Sequence, residues 1–234
     1  MSRATSASSS SAATGARTEV DIESLCACLA VLAITDGRGD LARIESLVDQ
    51  ALLGGVRAFQ IREPQVDDDA LAALCTRVHP RVRDAGGLLL LNARVALVAS
   101  GFADGVQLPA RAPDVAAVRA RLPGGAVIGG SVHDRAEIEA RSGADFLVLA
   151  PVLATRRKPG VEPLGLPRAR ELLAATARPV VWLGGFDAVT IASIGEGAGP
   201  CGFAVLSAWS AEPAAVRARC EAIVRAAAAI LRRP

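Results

Sequence analysis

Short apolar runs alternate with longer amphipathic segments from about residue 29 to the end of the chain. The apolar runs are nearly continuous in Val, Leu, Ile and Ala, a pattern typical of strands in a parallel sheet that is buried on both faces. The predicted strands cover residues 29–35, 56–62, 88–92, 104–108, 126–131, 145–150, 179–183 and 202–206.

The segments between these strands have apolar residues at helical spacing. In the first of them Ile44, Leu47 and Val48 fall on one helical face, and Gly54-Gly55 ends the helix. Asp134 stands where an N-cap is expected at the start of another helix. The predicted helices cover residues 41–52, 67–82, 114–121, 134–141, 168–176, 187–194 and 213–231.

Eight strands that alternate with helices are the element count of an α/β protein of the (β/α)8 TIM-barrel class. A doubly wound open sheet is the alternative. It would usually carry a glycine-rich fingerprint after its first strand, and Thr35-Asp36-Gly37-Arg38-Gly39 lacks the required spacing. The pattern therefore favours a single barrel domain, which we predict over residues 26–234.

The N-terminal segment differs from the rest of the chain. Residues 1–20 are dominated by Ser, Ala and Thr, have no acidic residue before Glu19, and lack the apolar core of a secretion signal. A transit peptide is one interpretation of this composition. We predict instead a disordered tail over residues 1–25.

Composition narrows the function classes. Of the 234 residues, 51% are hydrophobic and 21% charged, and the net charge is +2. This near-neutral balance argues against nucleic-acid and membrane-surface partners, and no apolar run has the length of a membrane span. The five cysteines are scattered, and the Cys26/Cys28 spacing is not that of a zinc or redox motif. We expect reduced core cysteines and a cytoplasmic protein.

Catalytic groups of a barrel gather at the C-terminal ends of its strands. The polar and glycine residues predicted there, or on the loop after the sixth strand, are Thr35, Asp36, Gln60, Arg62, Glu63, Asn92, Arg94, Gln107, Ser131, His133, Thr155, Lys158, Gly184, Gly185 and Ser207. Carboxylates are few and none of the spacings is typical of metal ligands, so no metal site is predicted.

Two of these loops suit a phosphate. Gly184-Gly185 follows the seventh strand and Leu206-Ser207 ends the eighth, where barrels often bind phosphate through backbone N–H groups. The alternative is that the glycines only form a tight turn.

Arg62 and His133 are the candidates for charge and proton transfer. Arg62 ends an apolar strand, and a buried arginine needs a partner such as Glu63, a neighbouring strand or an anionic ligand. His133 follows the fifth strand, where it is a candidate acid or base, although a helix cap or loop role is the alternative. The other histidine, His79, is predicted at the surface.

Eight short motifs, in order between about residues 29 and 220, resemble the thiamine phosphate synthase/TenI superfamily. They are Ile34-Thr35-Asp36, Gln60-Ile61-Arg62-Glu63, Asn92-Ala93-Arg94-Val95, Gly105-Val106-Gln107-Leu108-Pro109, Ser131-Val132-His133, Gly143-Ala144-Asp145-Phe146, Leu183-Gly184-Gly185 and Ala204-Val205-Leu206-Ser207.

The superfamily has two main activities. The synthase joins a pyrimidine diphosphate to a thiazole phosphate and uses Mg²⁺. The residues that match its two metal-holding aspartates are Ala93 and Ala112, and Pro64 matches a lysine of its pattern. The TenI branch aromatises a carboxythiazole phosphate by shifting a proton and needs no metal. The resemblance therefore favours a thiazole tautomerase, an isomerase of thiamine biosynthesis that needs no cofactor.

The resemblance also implies roles for individual residues. His133 matches the acid/base histidine of TenI, and Arg62 matches an arginine suited to the substrate carboxylate. Lys158 matches a loop lysine of both branches. Thr155, Gly185, Leu206 and Ser207 match the phosphate-binding positions, and Gly184, the first glycine of the same loop, is predicted to bind phosphate with them. The remaining residues expected to bind the substrate are Gln60, Asn92, Gln107 and Ser131.

Two alternatives stay open at this point. One is a thiamine phosphate synthase with a rearranged metal site, and the other is a non-catalytic relative that binds a thiazole or thiamine phosphate. In each case the expected ligand is a small phosphorylated heterocycle, and a homodimer is expected by analogy with other barrels.

Overall fold

The computed structural model describes residues 21–155, 160–195, 197, 199–206 and 212–231. Eight parallel strands form a closed barrel in chain order, with β8 paired to β1. The strands are β1 Val31–Ile34, β2 Ala58–Ile61, β3 Leu88–Asn92, β4 Gly105–Leu108, β5 Val127–Val132, β6 Phe146–Leu149, β7 Val180–Leu183 and β8 Gly202–Val205. The predicted single-domain TIM barrel is confirmed.

Helices alternate with the strands around the barrel. They are α1 Ile22–Leu29, α2 Leu41–Leu53, α3 Asp68–Asp84, α4 Val95–Ala99, α5 Val115–Arg119, α6 Arg135–Ala140, α7 Gly165–Leu173, α8 Ala188–Ala192 and α9 Pro213–Leu231. Throughout the described ranges, none of them is both long and apolar enough to cross a lipid bilayer.

The near-continuous apolar strands have a direct structural cause. Side chains such as Leu90 and Phe146 point into the barrel and form one apolar cluster. Their strand neighbours, such as Leu89 and Leu147, point outward and pack in a second cluster with the helices. Because both faces of every strand are buried, the strands have no polar alternation, and each buried leucine contributes about 1.5–3 kcal/mol.

Helix α1 closes the N-terminal end of the barrel. Asp21 caps it by accepting the N–H groups of Glu23 and Ser24, and Leu25 and Leu29, one turn apart, pack into the barrel interior. The helix begins at Ile22, before the boundary predicted at residue 26. Residues 1–20 lie outside the described residues, so the disordered tail stays a prediction.

Aspartates begin most of the outer helices, as the pattern indicated for Asp134. Their carboxylates accept backbone N–H groups of the first turn, and each such cap contributes about 1 kcal/mol. The N-cap aspartates of α2, α3, α5, α6 and α8 are Asp40, Asp67, Asp114, Asp134 and Asp187.

The prediction that His79 lies at the surface is wrong. Its side chain is only 12% exposed, and its Nε2 lies 2.9 Å from Oδ1 of Asp104. The other oxygen of Asp104 accepts the N–H of Leu89 at 2.8 Å. His79 therefore lies between α3 and the starts of β3 and β4, away from the C-terminal ends of the strands.

Candidate functional site

Four polar side chains line one half of the barrel mouth, at inward-facing positions on adjacent strands β2 to β5. This polar row consists of Gln60, Asn92, Gln107 and Ser131. Nε2 of Gln60 donates to Oδ1 of Asn92 at 3.0 Å, and Nε2 of Gln107 donates to Oγ of Ser131 at 3.1 Å. The mouth therefore brings together all four residues expected to hold the heterocycle.

Gln107 occupies its place because β5 has a glycine beside it. A Cβ on Gly129 would lie 2.1 Å from Oε1 of Gln107 and 2.4 Å from Cζ of Phe146. Gln107 is 1% exposed, and its Oε1 has no hydrogen-bond partner within the described part of the chain. Because buried acceptors are nearly always satisfied, this oxygen is suited to accept a hydrogen bond from a ligand or water.

The opposite half of the mouth is formed by the ends of β6 to β8. Gly184 and Gly185 have φ values of 113° and 72°, in the region that favours glycine. A Cβ on Gly185 would lie 2.6 Å from the carbonyl oxygen of Ala154, because the loop after β6 packs directly on these glycines. Both proposed roles of the pair are thus compatible: the glycines make a tight turn, and they do so at the mouth.

The N–H groups of Gly184 and Gly185 are candidates for anion binding. Neither donates a hydrogen bond to any residue that the structure describes. The nearby start of α8 is already occupied, since the Asp187 carboxylate accepts the N–H groups of Val189 and Thr190. These bonds, led by the one from Thr190, hold the pKa of Asp187 below its usual value.

The other predicted phosphate residues are only partly described. Thr155 and Leu206 are half-buried at the ends of their loops. Lys158 and Ser207 lie outside the described residues, so their roles stay predictions.

Arg62 is exposed, which corrects the expectation of a buried arginine. Its backbone N–H donates to Oγ1 of Thr35 at 2.8 Å, but its guanidinium has no hydrogen-bond or ion-pair partner among the described residues. Glu63 does not pair with it, because the buried Glu63 carboxylate accepts the N–H groups of Gly37 and Gly39. A cation next to the polar row is therefore available to an anionic ligand.

His133 follows β5 and is held by a residue that the sequence did not identify. Oε2 of Glu137 lies 2.7 Å from Nδ1 of His133 and accepts its backbone N–H at 2.7 Å. Because a carboxylate only accepts, Nδ1 carries the proton, and Nε2 is the acceptor of the neutral ring. The side chain is 39% exposed. The spacing of four residues into the first turn of α6 was the signal for this pair.

The loop after β4 is fixed by a buried guanidinium. Arg141 donates to the carbonyl oxygens of Pro109, Ala110, Ala112 and Pro113. A cavity of about 280 Å³ adjoins this loop and is lined by Ala110, Ala112, Asp114, Glu137, Ala140 and Arg141. Ala112, which resembles a metal-holding aspartate position of the synthase, is therefore held through its carbonyl oxygen by Arg141 but carries only a methyl group.

Ala93, the other such position, has an unusual backbone. Its φ is 61°, and it is the one non-glycine residue in the described ranges with positive φ. Among L-residues this left-handed conformation is best tolerated by Asn and Asp.

The described residues of the mouth do not provide a ligand set that fits a divalent cation. Within the described ranges, no group of three or more His, Cys, Asp or Glu side chains is arranged to hold a metal ion. The carboxylates nearest the strand ends are engaged: Asp36 pairs with Arg38 and Arg43, and Asp114 caps α5. Mg²⁺ prefers several oxygen ligands, which Ala93 and Ala112 cannot supply.

The fold and the mouth define a TIM barrel suited to a small phosphorylated ligand, and comparison with known proteins gives the family. Residues 31–209 match the family model described as thiamine monophosphate synthase, and the chain belongs to this family. It is 35% identical over 181 residues to thiamine-phosphate synthase of Methanoculleus marisnigri, covering 74% of this chain and 82% of that protein. It is 34% identical over 199 residues to the synthase of Roseiflexus castenholzii, covering 82% and 86%.

A solved structure agrees with these relatives. Thiamine phosphate pyrophosphorylase from Pyrococcus furiosus superposes with a TM-score of 0.77 at 26% identity and covers 88% of this chain and 99% of that one. The expectation of a tautomerase, and with it of an isomerase, is contradicted, because these relatives are named as synthases, which are transferases. Single positions such as Ala93 and Ala112 indicated the wrong branch of the family.

Proposed function

We propose that the chain is a transferase of the thiamine-phosphate synthase type, which joins a pyrimidine diphosphate to a thiazole phosphate and releases diphosphate. The observation that carries the proposal is that one mouth has uncharged polar side chains on one half and backbone N–H groups suited to an anion on the other. The polar row lies across the mouth from the N–H groups of Gly184 and Gly185, which donate to none of the described residues. The relatives that are 34–35% identical to this chain are named as synthases.

Each group of residues at the mouth has a separate role in binding the substrates. The N–H groups of Gly184 and Gly185 bind the phosphate of the thiazole, as two donors in a concave turn can. The polar row orients the heterocycles through uncharged hydrogen bonds, with Oε1 of Gln107 accepting one from the ligand. The guanidinium of Arg62 attracts the diphosphate and stabilises the charge that grows on it as it leaves.

His133 contributes a positioned acceptor. With its Nδ1–H held by Glu137, its Nε2 accepts a hydrogen bond from a bound ligand. Nothing in this scheme requires His133 to transfer a proton. The carboxylates of the described residues do not fit Mg²⁺, so these roles involve no metal ion.

A second candidate function is favoured by Ala93 and Ala112. If both metal-holding positions of the synthase carry methyl groups, a protein that binds thiazole or thiamine phosphate without turnover is consistent with the same mouth. The two candidates differ in whether product forms.

The test uses the purified full-length chain with both substrates, once with Mg²⁺ and once with a chelator. Thiamine phosphate and released diphosphate are quantified together, and calorimetry measures binding of the thiazole phosphate alone. Equimolar product and diphosphate under either condition support the transferase. Binding without product supports the second candidate, and neither binding nor product rejects both.

Variants assign the residues. Arg62→Ala is expected to reduce coupling, or diphosphate affinity, by about 10- to 100-fold, as the loss of a charge-assisted hydrogen bond implies. Arg135→Ala is the matched control, because that side chain is 68% exposed on α6 and pairs only loosely with Glu139. Equal effects of the two variants would remove Arg62 from the scheme.

A further inference from the structure

Two cysteines that are far apart in the sequence meet at the N-terminal end of the barrel, opposite the mouth. Cys26 lies in α1, and Cys201 directly precedes β8. The Cys201 thiol is close enough to hydrogen-bond to the sulfur of Cys26. Both residues are only partly buried, and Cys26 is the more accessible of the two. The expectation that all the cysteines are core residues is therefore wrong for this pair and for Cys28, which is also only partly buried.

The backbone on both sides of the pair is fixed. The N–H of Phe203 donates to the carbonyl of Ala30 at 3.1 Å, and the N–H of Cys201 donates to the carbonyl of Val180 at 2.8 Å. Gly202 is packed so closely that a Cβ there would lie 1.8 Å from the carbonyl oxygen of Leu29. The end of α1 thus abuts the start of β8, and the two thiols are held next to each other by the sheet and the helix.

The described thiols differ in reactivity. The hydrogen bond from Cys201 lowers the pKa of Cys26 to about 7, despite partial burial, and the same bond with burial raises the pKa of Cys201. Burial raises the pKa of Cys75 and of Cys220 to about 11, and it also raises the pKa of Cys28. Since the thiolate is the nucleophile, Cys26 is the reactive thiol near neutral pH.

We propose that Cys26 and Cys201 are a redox site, in which a small disulfide such as oxidised glutathione converts the two thiols into an intramolecular disulfide. The Cys26 thiolate attacks one sulfur of the reagent, forms a mixed disulfide and releases one glutathione thiolate. Cys201 then loses its proton, attacks the Cys26 sulfur and displaces the second glutathione. Two protein thiols are oxidised and one reagent disulfide is reduced to two thiols, so atoms and electrons balance.

The bond would join the helix that closes the barrel to the last strand. It links residues 26 and 201 across most of the chain, and cross-links over long loops restrict the unfolded state strongly. The site is remote from the mouth, so the proposal does not depend on the proposed function.

The test incubates the native full-length protein with oxidised glutathione at pH 7.5 and measures its intact mass. The expected product is about 2 Da lighter, and dithiothreitol restores the original mass. Trypsin should then release residues 18–38 linked to residues 171–217. The first peptide contains both Cys26 and Cys28, so variants are needed to identify the sulfur.

Cys28→Ser is the matched control and should form the same linked peptides, whereas Cys26→Ser should form none. The oxidised protein should melt about 5–10 °C above the reduced protein. The proposal is overturned if all thiols stay reduced, if only glutathione adducts form, or if the bond joins Cys26 to Cys28. Circular dichroism of each variant shows that it is folded before its result is used.

Discussion

Gly129→Ala tests whether the polar row depends on the missing side chain in β5. The added Cβ would lie 2.1 Å from Oε1 of Gln107 and 2.4 Å from Cζ of Phe146. Unbonded contacts of this kind are comfortable only near about 3.5 Å, so both side chains must move by about 1 Å or more. Phe146 is fully buried and cannot withdraw to solvent.

The cost has two parts. Overpacking of a close-packed interior costs about 1–3 kcal/mol. The displaced Gln107 also loses its bond to Ser131, which removes about 1 kcal/mol. We therefore expect the free energy of unfolding to fall by about 2–4 kcal/mol, and the melting temperature by roughly 5–15 °C.

Urea denaturation followed by circular dichroism measures the change, with Gly124→Ala as the control. A Cβ on Gly124 meets nothing within 4 Å, and its φ is not in the left-handed region. That substitution should be neutral or stabilise by up to about 1 kcal/mol, because alanine restricts the unfolded chain. If Gly129→Ala changes stability by less than about 0.5 kcal/mol, or if the control is destabilised as much, the packing argument is refuted.

Two further predictions use buried or reactive side chains. Arg141→Ala leaves four carbonyl oxygens of the loop after β4 without their donor, so we expect the free energy of unfolding in urea to fall by about 3 kcal/mol. Arg135→Ala, at an exposed position, should lower it by less than about 0.5 kcal/mol. Equal losses for the two variants would contradict the role of Arg141. The rate of alkylation of Cys26 should rise with pH through a midpoint of about 7, because the thiolate forms above the pKa. Cys75 and Cys220 should stay unreacted below about pH 11 unless the chain unfolds. A midpoint for Cys26 at or above about 8.5 would contradict the stabilised thiolate.

Strand and helix positions were predictable where two local signals agree. The third strand was predicted over the residues that form β3, and α2 ends at the predicted glycine pair because Gly54 donates to the last turn. Helix α1 was not predicted, because the apolar residues from Leu25 to the end of β1 are not interrupted by a polar residue. The helix and the strand therefore form one apolar run in the sequence. Periodicity over such a short run does not separate the two.

The sequence predicts which residues line the mouth, but it does not predict which side chains pair with one another there. Gln60, Asn92, Gln107 and Ser131 could be placed together because ends of parallel strands meet at one face of a barrel. The exposure of Arg62 was not predictable, because it depends on a contact between segments that are far apart in the sequence. The Glu63 carboxylate accepts the N–H groups of Gly37 and Gly39 and therefore does not pair with Arg62. The branch of the family was misjudged for a related reason: a few substituted positions carry less information than similarity along the whole barrel.

The left-handed backbone at Ala93 has a consequence for protein engineering. An alanine there lacks the short polar side chain that makes this conformation tolerable, whereas aspartate or asparagine would fit the existing turn. A carboxylate can therefore be added at the end of β3 without redesigning the loop. The chain is a convenient starting scaffold for building acidic ligands into a barrel mouth, because the most demanding part of such a design, the main-chain geometry, is already in place.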